Sequence, residues 1–589
     1  MSYSSRKNLL PKDTRRDLPK KPVLIEEDKF QKHKNYSSSS LLLNRSVLSA
    51  NDVPDVKSPY GSISHGVRKI IPHEMACKLG CSGKKCKYDS SNWPPEEMAI
   101  PGIFSHWITD DIIAMARPRD SLIKETNFIQ KIKEAGIRSI FNLQTRYEHR
   151  DCGDGILENT GFSYDPVDFE KNDIYYYNFE LEDFSIGSLD KMLDMVKVFD
   201  FSISEGKVAV HCHAGLGRTG LLIACYLVYS IRMNTNQAIH FIREKRQNSV
   251  QMKDQIKAVK DFENYLKPLR IVFFQPKSDL SESLNLESGE SNKYSSFSLQ
   301  TFLIRQRLIF HGNERKKFKN IPKILCACGE RFKEMIYYSK SNELSKRSDE
   351  YDRKISRSHN GSEFFNISLI IEALSTINFP HVVMKNVIYY QNLLNDSNDG
   401  YLELSKEENP FVLSALIWSW LDHLKEPVLR DQEINILLNN FSENGSNFET
   451  ANWEGLERGT FETVNYLIDI IRELMPLEDN FKNDLVCQLI AYLTQTQLRN
   501  KRLENYNESF DSVSILNSTN KMKKNNFLIL KSVILNSIDK MVRLDEEILS
   551  KSIMKSKSKK SPRFDDENDD YRHIERRETS RQKYNQMDY

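Results

Sequence analysis

The run KVAVHCHAGLGRTGLLIACYLVYSIR, residues 207–232, restricts the fold of this chain more than any other stretch. It opens with a short, mostly β-branched and small apolar run that ends at a cysteine, the pattern of a strand buried on both faces. Gly215, Gly217 and Gly220 follow closely, and the segment then continues as an almost wholly apolar helix starting near Thr219. A buried strand that passes at once into a buried helix needs packing layers around both, which is the arrangement of an α/β domain.

The flanking sequence agrees with that class. IIAMA at 112–116 and SIFNL at 139–143 are expected strands, separated by the helical segment FIQKIKEAG, which closes on Gly136. LDKMLDMVKVF, NQAIHFIREKR and VQMKDQIKAVKDFENYL are expected helices. The fold expected is a central sheet flanked by helices over residues 61–270, after a loose N-terminal arm at 1–60 rich in Ser, Lys, Asn and Pro. A Ser/Glu/Asn-rich linker is expected at 271–298, a mainly α-helical region at 299–549 and a charged, disordered tail at 550–589.

Composition narrows the function classes. The 84 basic and 82 acidic side chains leave a formal charge of +2, so no global attraction to nucleic acid or anionic membrane is encoded. No apolar run reaches bilayer length, and the nine cysteines form no regular paired framework. A reducing, cytoplasmic setting is the expectation, with no transmembrane segment and no nucleic-acid partner.

The chemistry is concentrated in VHCHAGLGRTG, residues 210–220. Glycines let successive backbone N–H groups converge on one anion, and the N-terminus of the following helix adds its positive end to the same point. Cys212 at that point is expected to be a thiolate nucleophile, since cysteines at helix N-termini titrate well below the ordinary thiol value of about 8.5. The phosphate-binding residues are expected to be His213, Ala214, Gly215, Leu216 and Gly217 together with Arg218, whose planar fork matches two phosphate oxygens. Thr219 is expected to donate its hydroxyl to the Cys212 sulfur, and His211 either orients the loop or is a structural histidine. No metal or cofactor is needed for this chemistry. A proton donor for the leaving group is expected on a loop upstream; Asp173, Glu180, Glu182 and Asp183 are the candidates, with Asp183 favoured.

HCHAGLGRTG resembles the signature of cysteine-based phosphatases, and KVAVHCHAGLGRTGLLIACYLV resembles the protein tyrosine phosphatase domain-containing protein family. HEMACKLGCSGKKCKYD, IIAMARP, IRSIFNLQTRYEHRDCG, YYYNFELEDF and REKRQNSVQMKDQ resemble further blocks of it, so the similarity covers about 70–269. The resemblance implies a dual-specificity fold, Cys212 as nucleophile, Arg218 as phosphate binder, Asp183 as acid and Gln255, with Gln251 as its rival, near the hydrolytic water. It also implies a phosphorylated protein substrate and a role at cilia or centrosomes. Gln247 stands where related loops carry proline. Phosphoinositide phosphatases with a similar loop carry lysines at the positions of His213 and Leu216, so a protein phosphomonoester is the expected substrate, with a phosphoinositide or a non-hydrolysed phospho-residue as alternatives.

Two other patterns stand apart. His73, Cys77, Cys81 and Cys86 offer a zinc ligand set without paired CxxC spacing, and Cys152 is a candidate disulfide partner for Cys212. Three segments after Asn409 resemble Rho GTPase-activating domains, with spacing near Pro476 and Asn480 shifted by one residue. The stretch before Phe411 offers only Arg353 and Arg357 in a polar run, with no arginine-finger segment. The expectation is a helical interaction module for a protein partner, in which Trp418, Trp420 and Leu424 are core residues.

Overall fold

The computed structural model describes residues 53–59, 81–181, 188–274, 297–348, 366–443, 453–496 and 524–557. They fall into two units: the first holds the described residues up to 274 with 304–319 and 391–400, and the second holds the remainder.

The first unit is built on a five-stranded sheet in the order β1-β2-β5-β3-β4. β1 is Ser105–Trp107, β2 Ile112–Met115, β3 Ile137–Asn142, β4 Tyr175–Asn178 and β5 Lys207–His211. Only β1 pairs antiparallel; β2, β5, β3 and β4 run parallel. β5 is central, with Val210 opposite Ala114 on one side and Phe141 on the other. Its residues alternate between faces, as the pleat requires. Val208 and Val210 pack into one core with Phe141, Phe199 and Leu222, while Ala209 joins the opposite core with Ile113, Ile140 and Phe128.

The helices of this unit are α1 Asp120–Glu125, α2 Phe128–Glu134, α3 Val167–Glu170, α4 Leu189–Glu205, α5 Gly217–Ser230, α6 Thr235–Lys245 and α7 Lys253–Arg270. α4 starts on Ser188, whose side chain accepts from the Lys191 N–H. α5 is buried from Gly217 through Val228, as its apolar sequence demands. It begins at Gly217 rather than near Thr219, because the loop's last turn is already helical.

The arm and linker boundaries differ from expectation. Residues 53–59 are held along α6, where Arg243 donates to the Lys57 carbonyl at 2.9 Å and Asn236 to Asp55 at 3.0 Å. Beyond α7, the Val272 and Phe273 N–H groups donate to Asn395 Oδ1 at 2.8 and 3.0 Å. The polar composition of these stretches hides the side-chain partners that satisfy their backbone.

Helical elements continue through α8 Leu299–Ile309, α9 Gly312–Lys317, α10 Lys323–Ser348, α11 Ile367–Ser375, α12 His381–Asp396, α13 Gly400–Leu404, α14 Pro410–Asp422, α15 Asp431–Glu443, α16 Arg458–Glu473, α17 Asp479–Leu493 and α18 Lys524–Lys557. In the second unit Trp418, Trp420 and Leu424 are buried, at 5%, 2% and 4% exposure, as core residues should be. Arg353 and Arg357 lie outside the described residues. No helix among the described residues is long and apolar enough to cross a membrane.

Candidate active site

Parallel strands collect their C-terminal ends along one edge of a sheet, and β5 delivers Cys212 to that edge with only 4% of its surface exposed. The loop from Cys212 to α5 bends at Gly215, with φ of +69°. A Cβ there would lie 2.0 Å from the Met115 carbonyl oxygen, so glycine is required sterically as well as conformationally.

The carbonyls of His213, Ala214, Gly215 and Leu216 are all turned outward to donors in surrounding elements. The Arg117 N–H donates to His213 O at 3.1 Å and the Val250 N–H to Leu216 O at 3.2 Å. Arg246 Nη2 donates to Ala214 O at 3.0 Å and its Nε to Gly215 O at 2.7 Å. A trans peptide carries its N–H opposite its carbonyl, so the amides of residues 214–217 face the inner side, or hollow, of the loop.

Arg246 was not singled out from the sequence. It is buried, stacks over Phe104 at 3.9 Å and donates Nη1 to His106 Nδ1 at 2.6 Å, while His106 Nε2 meets Glu97 at 2.6 Å. Burial works against its charge, and a negative charge on the neighbouring Cys212 would support it. Its signal in sequence was only its place in the quoted block REKRQNSV, since contact with the loop is made across the fold.

Arg218 is 2% exposed and held end-on by Glu148, with Nη2 to Oε1 at 2.6 Å and Nη1 to Oε2 at 2.7 Å. Nη1 also donates to Leu181 O at 2.9 Å. Glu148 is another residue the sequence did not flag. It is anchored by the Thr145 N–H and hydroxyl at 3.1 and 3.0 Å and by Gln144 at 2.9 Å.

His211 donates from Nδ1 to the Cys212 carbonyl at 3.1 Å, which leaves Nε2 to accept the Tyr164 hydroxyl at 2.6 Å. Burial lowers its titration to about 4, so the ring is a neutral strut beside Cys212. The Thr219 hydroxyl makes no hydrogen bond among the described residues, so the expected donation to the Cys212 sulfur is not present in this state. The early start of α5 places Thr219 inside its first turn, where the side chain is buried.

Gln255 and Gln251 both reach Gly217: a Cβ there would lie 2.9 Å from Gln255 Nε2 and 3.4 Å from Gln251 Oε1. Gln255 Oε1 also accepts the Met252 N–H at 3.2 Å, which caps α7. Among the acid candidates, Glu182 and Asp183 lie outside the described residues. Asp173 precedes β4, at the opposite edge of the sheet from Cys212, and Glu180 is exposed beyond the strand's end. Topology therefore removes Asp173 from the set.

His213 does not turn its side chain to the hollow. Its Nε2 lies 3.3 Å from Cys152 Sγ and 3.5 Å from Cys86 Sγ. Cys152, proposed from sequence as a partner for Cys212, is thus engaged beside the following residue. Leu216 packs into the sheet's core. Of the sequence-adjacent zinc set, Cys81 and Cys86 are described and His73 and Cys77 are not.

Residues 122–265 match the family model for the dual specificity phosphatase catalytic domain. Protein tyrosine phosphatase domain-containing protein 1 of Mus musculus is 44% identical over 45% of this chain and 34% of its own length, and that of Danio rerio is 42% identical over 46% and 36%. Tyrosine-protein phosphatase CDC14 of Candida albicans is 28% identical over 28% of each chain. The chain thus spans about a third of the length of the first two relatives.

Proposed function

We propose that this chain, which carries a dual-specificity phosphatase catalytic domain across residues 122–265, hydrolyses phosphate monoesters on proteins through a phosphocysteine at Cys212. The observation that supports the reading is the set of hydrogen bonds that takes up the carbonyls of residues 213–216, which leaves the consecutive amides of a loop between Cys212 and a helix N-terminus on its inner side.

In this reading the Cys212 thiolate attacks phosphorus in line, and the P–O bond to the serine, threonine or tyrosine oxygen breaks. The amide cradle takes the equatorial oxygens. Glu148 occupies the end-on edge of Arg218, so the edge formed by Nε and Nη2 holds the phosphoryl group as it flattens. Asp183 gives the leaving oxygen its proton. Water, guided by Gln255 or Gln251 beside Gly217, then attacks phosphorus as the Asp183 carboxylate takes its proton, and the P–S bond breaks so that the thiolate departs with the Thr219 hydroxyl turned to it.

Protein rather than phosphoinositide substrate is supported by His213 and Leu216, whose side chains face Cys152 and the core and supply no cation to a polyphosphorylated head group. A site at cilia or centrosomes, and a protein partner for the helical region, belong to the same proposal. The test is rapid-quench kinetics with a chromogenic phosphoester. A burst of product followed by turnover is expected, with neither from Cys212→Ser; retention of turnover by that variant refutes the phosphocysteine. A burst with no turnover favours a phospho-residue-binding role instead.

A further inference from the structure

Next to the phosphate loop lies a cluster that the hydrolytic chemistry does not use. Donor atoms of Cys81, His149, Cys152 and His213 all lie within 4.8 Å of one another, and Cys86 joins Cys81 and Cys152 in one buried group. The exposures of Cys81, Cys86, Cys152 and His213 are 9%, 7%, 0% and 5%.

The separations around His213 are those of ligands around one ion. Sulfur at about 2.3 Å and nitrogen at about 2.1 Å from zinc, at a tetrahedral angle, stand about 3.6 Å apart. His213 Nε2 has Cys86 Sγ at 3.5 Å and Cys152 Sγ at 3.3 Å. His149 is different: its ring stacks on that of His213 with centroids 3.9 Å apart and planes 11° from parallel. Two imidazoles stacked in this way cannot both place one ion in their ring planes, so His149 backs the ligand ring rather than sharing its ion.

The backbone is shaped to hold these donors. His149 and Ser82 adopt φ of +52° and +70°, and the Gly153 N–H donates to Gly83 O at 3.1 Å, tying the Cys81 loop to the Cys152 turn. Arg117 joins the Cys152 turn to the phosphate loop: Nη2 donates to Cys152 O at 2.6 Å and to His149 O at 3.3 Å, and its N–H to His213 O at 3.1 Å. Such outer contacts are the usual supports of a metal site.

We infer that Cys81, Cys86, Cys152 and His213 bind one zinc-class ion, which pins the phosphate loop through the residue that follows its nucleophile. Three thiolates and one imidazole select a soft or borderline cation over magnesium or calcium. The site is separate from the reacting atoms. It takes His213 as a ligand, which leaves only that residue's backbone for the loop.

The test is metal analysis of the purified 589-residue chain, followed by chelation and titration with Co²⁺. One zinc per chain is expected, lost in Cys81→Ser, Cys86→Ser and Cys152→Ser and kept in His149→Gln and Cys212→Ser. In unsubstituted protein Co²⁺ should give thiolate charge-transfer bands and the strong visible bands of a tetrahedral site, a readout that stands even if the cysteine variants fail to fold. A chain that neither carries zinc nor takes up Co²⁺ overturns the site. Loss of the ion in His149→Gln with retention in Cys86→Ser overturns the ligand set.

Discussion

At the scale of single residues, two buried side chains away from the signature decide whether Cys212 and Arg218 are usable. Glu148 and Arg218 form a two-bonded pair with almost no exposure, and removing one member of such a pair costs about 3–5 kcal/mol because the other charge stays buried. Glu148→Gln keeps one acceptor; we expect kcat/KM to fall about 10-fold or more, inhibition by inorganic phosphate to weaken and the urea midpoint to drop. Arg246→Met keeps the stem against Phe104 but removes the donors to Ala214 and Gly215. Two charge-assisted bonds at about 1.5–3 kcal/mol each predict roughly a 100-fold or greater loss of kcat/KM, with Arg246→Lys recovering part of it. An unchanged kcat/KM in Arg246→Met would show that the loop holds its shape without that strap.

At the scale of elements, the strand, loop and helix act as one piece. Gly215→Ala brings both a strained φ and a clash with the Met115 carbonyl, so it is expected to abolish turnover and to cost about 2 kcal/mol or more in thermal unfolding. The junction of α6 and α7 gives a pH prediction. Burial pushes the Glu263 carboxyl up, but Lys267 and the Thr235 hydroxyl and N–H, at 2.8, 2.6 and 2.9 Å, outweigh it and hold the group below its usual range. A depressed carboxyl contributes stability above its unfolded value of about 4.3 and loses it as pH falls through the folded value. Glu263→Gln should therefore unfold at lower urea than the unsubstituted chain at pH 7, and the two should converge below about pH 4.

At the scale of the whole molecule, segments far apart in sequence pack together within the first unit. Residues 304–319 and 391–400 belong with the first unit. Arg232 reaches Asn395 O and Asn398 Oδ1, each at 2.6 Å, and Asn395 satisfies both Val272 and Phe273. Asn395→Ala leaves these backbone groups without that acceptor, and amide exchange at Val272 and Phe273 should quicken by a factor of about 10 or more, as loss of a bond of about 1.5 kcal/mol implies. Unchanged protection at those amides would count against that packing.

What was legible along the chain was local. The central strand, the glycine turn and the apolar helix are contiguous, so their periodicity and the short turn that joins them follow from neighbours in sequence. The start of the helix was read slightly late, and the Thr219 hydroxyl with it, because helical dihedrals begin inside the glycine-rich loop. Arg246 meets the loop across 31 residues, Glu148 meets Arg218 across 70 and Cys86 meets His213 across 127. Spacings of that length carry no periodic signal. The sequence by itself determined the α/β class and the strand, glycine turn and helix that carry Cys212 and Arg218; only the tertiary structure decided which distant side chains turn the loop's carbonyls outward, fix its arginine and gather its thiols, since those contacts exist only once the sheet has brought separate strand ends to one edge.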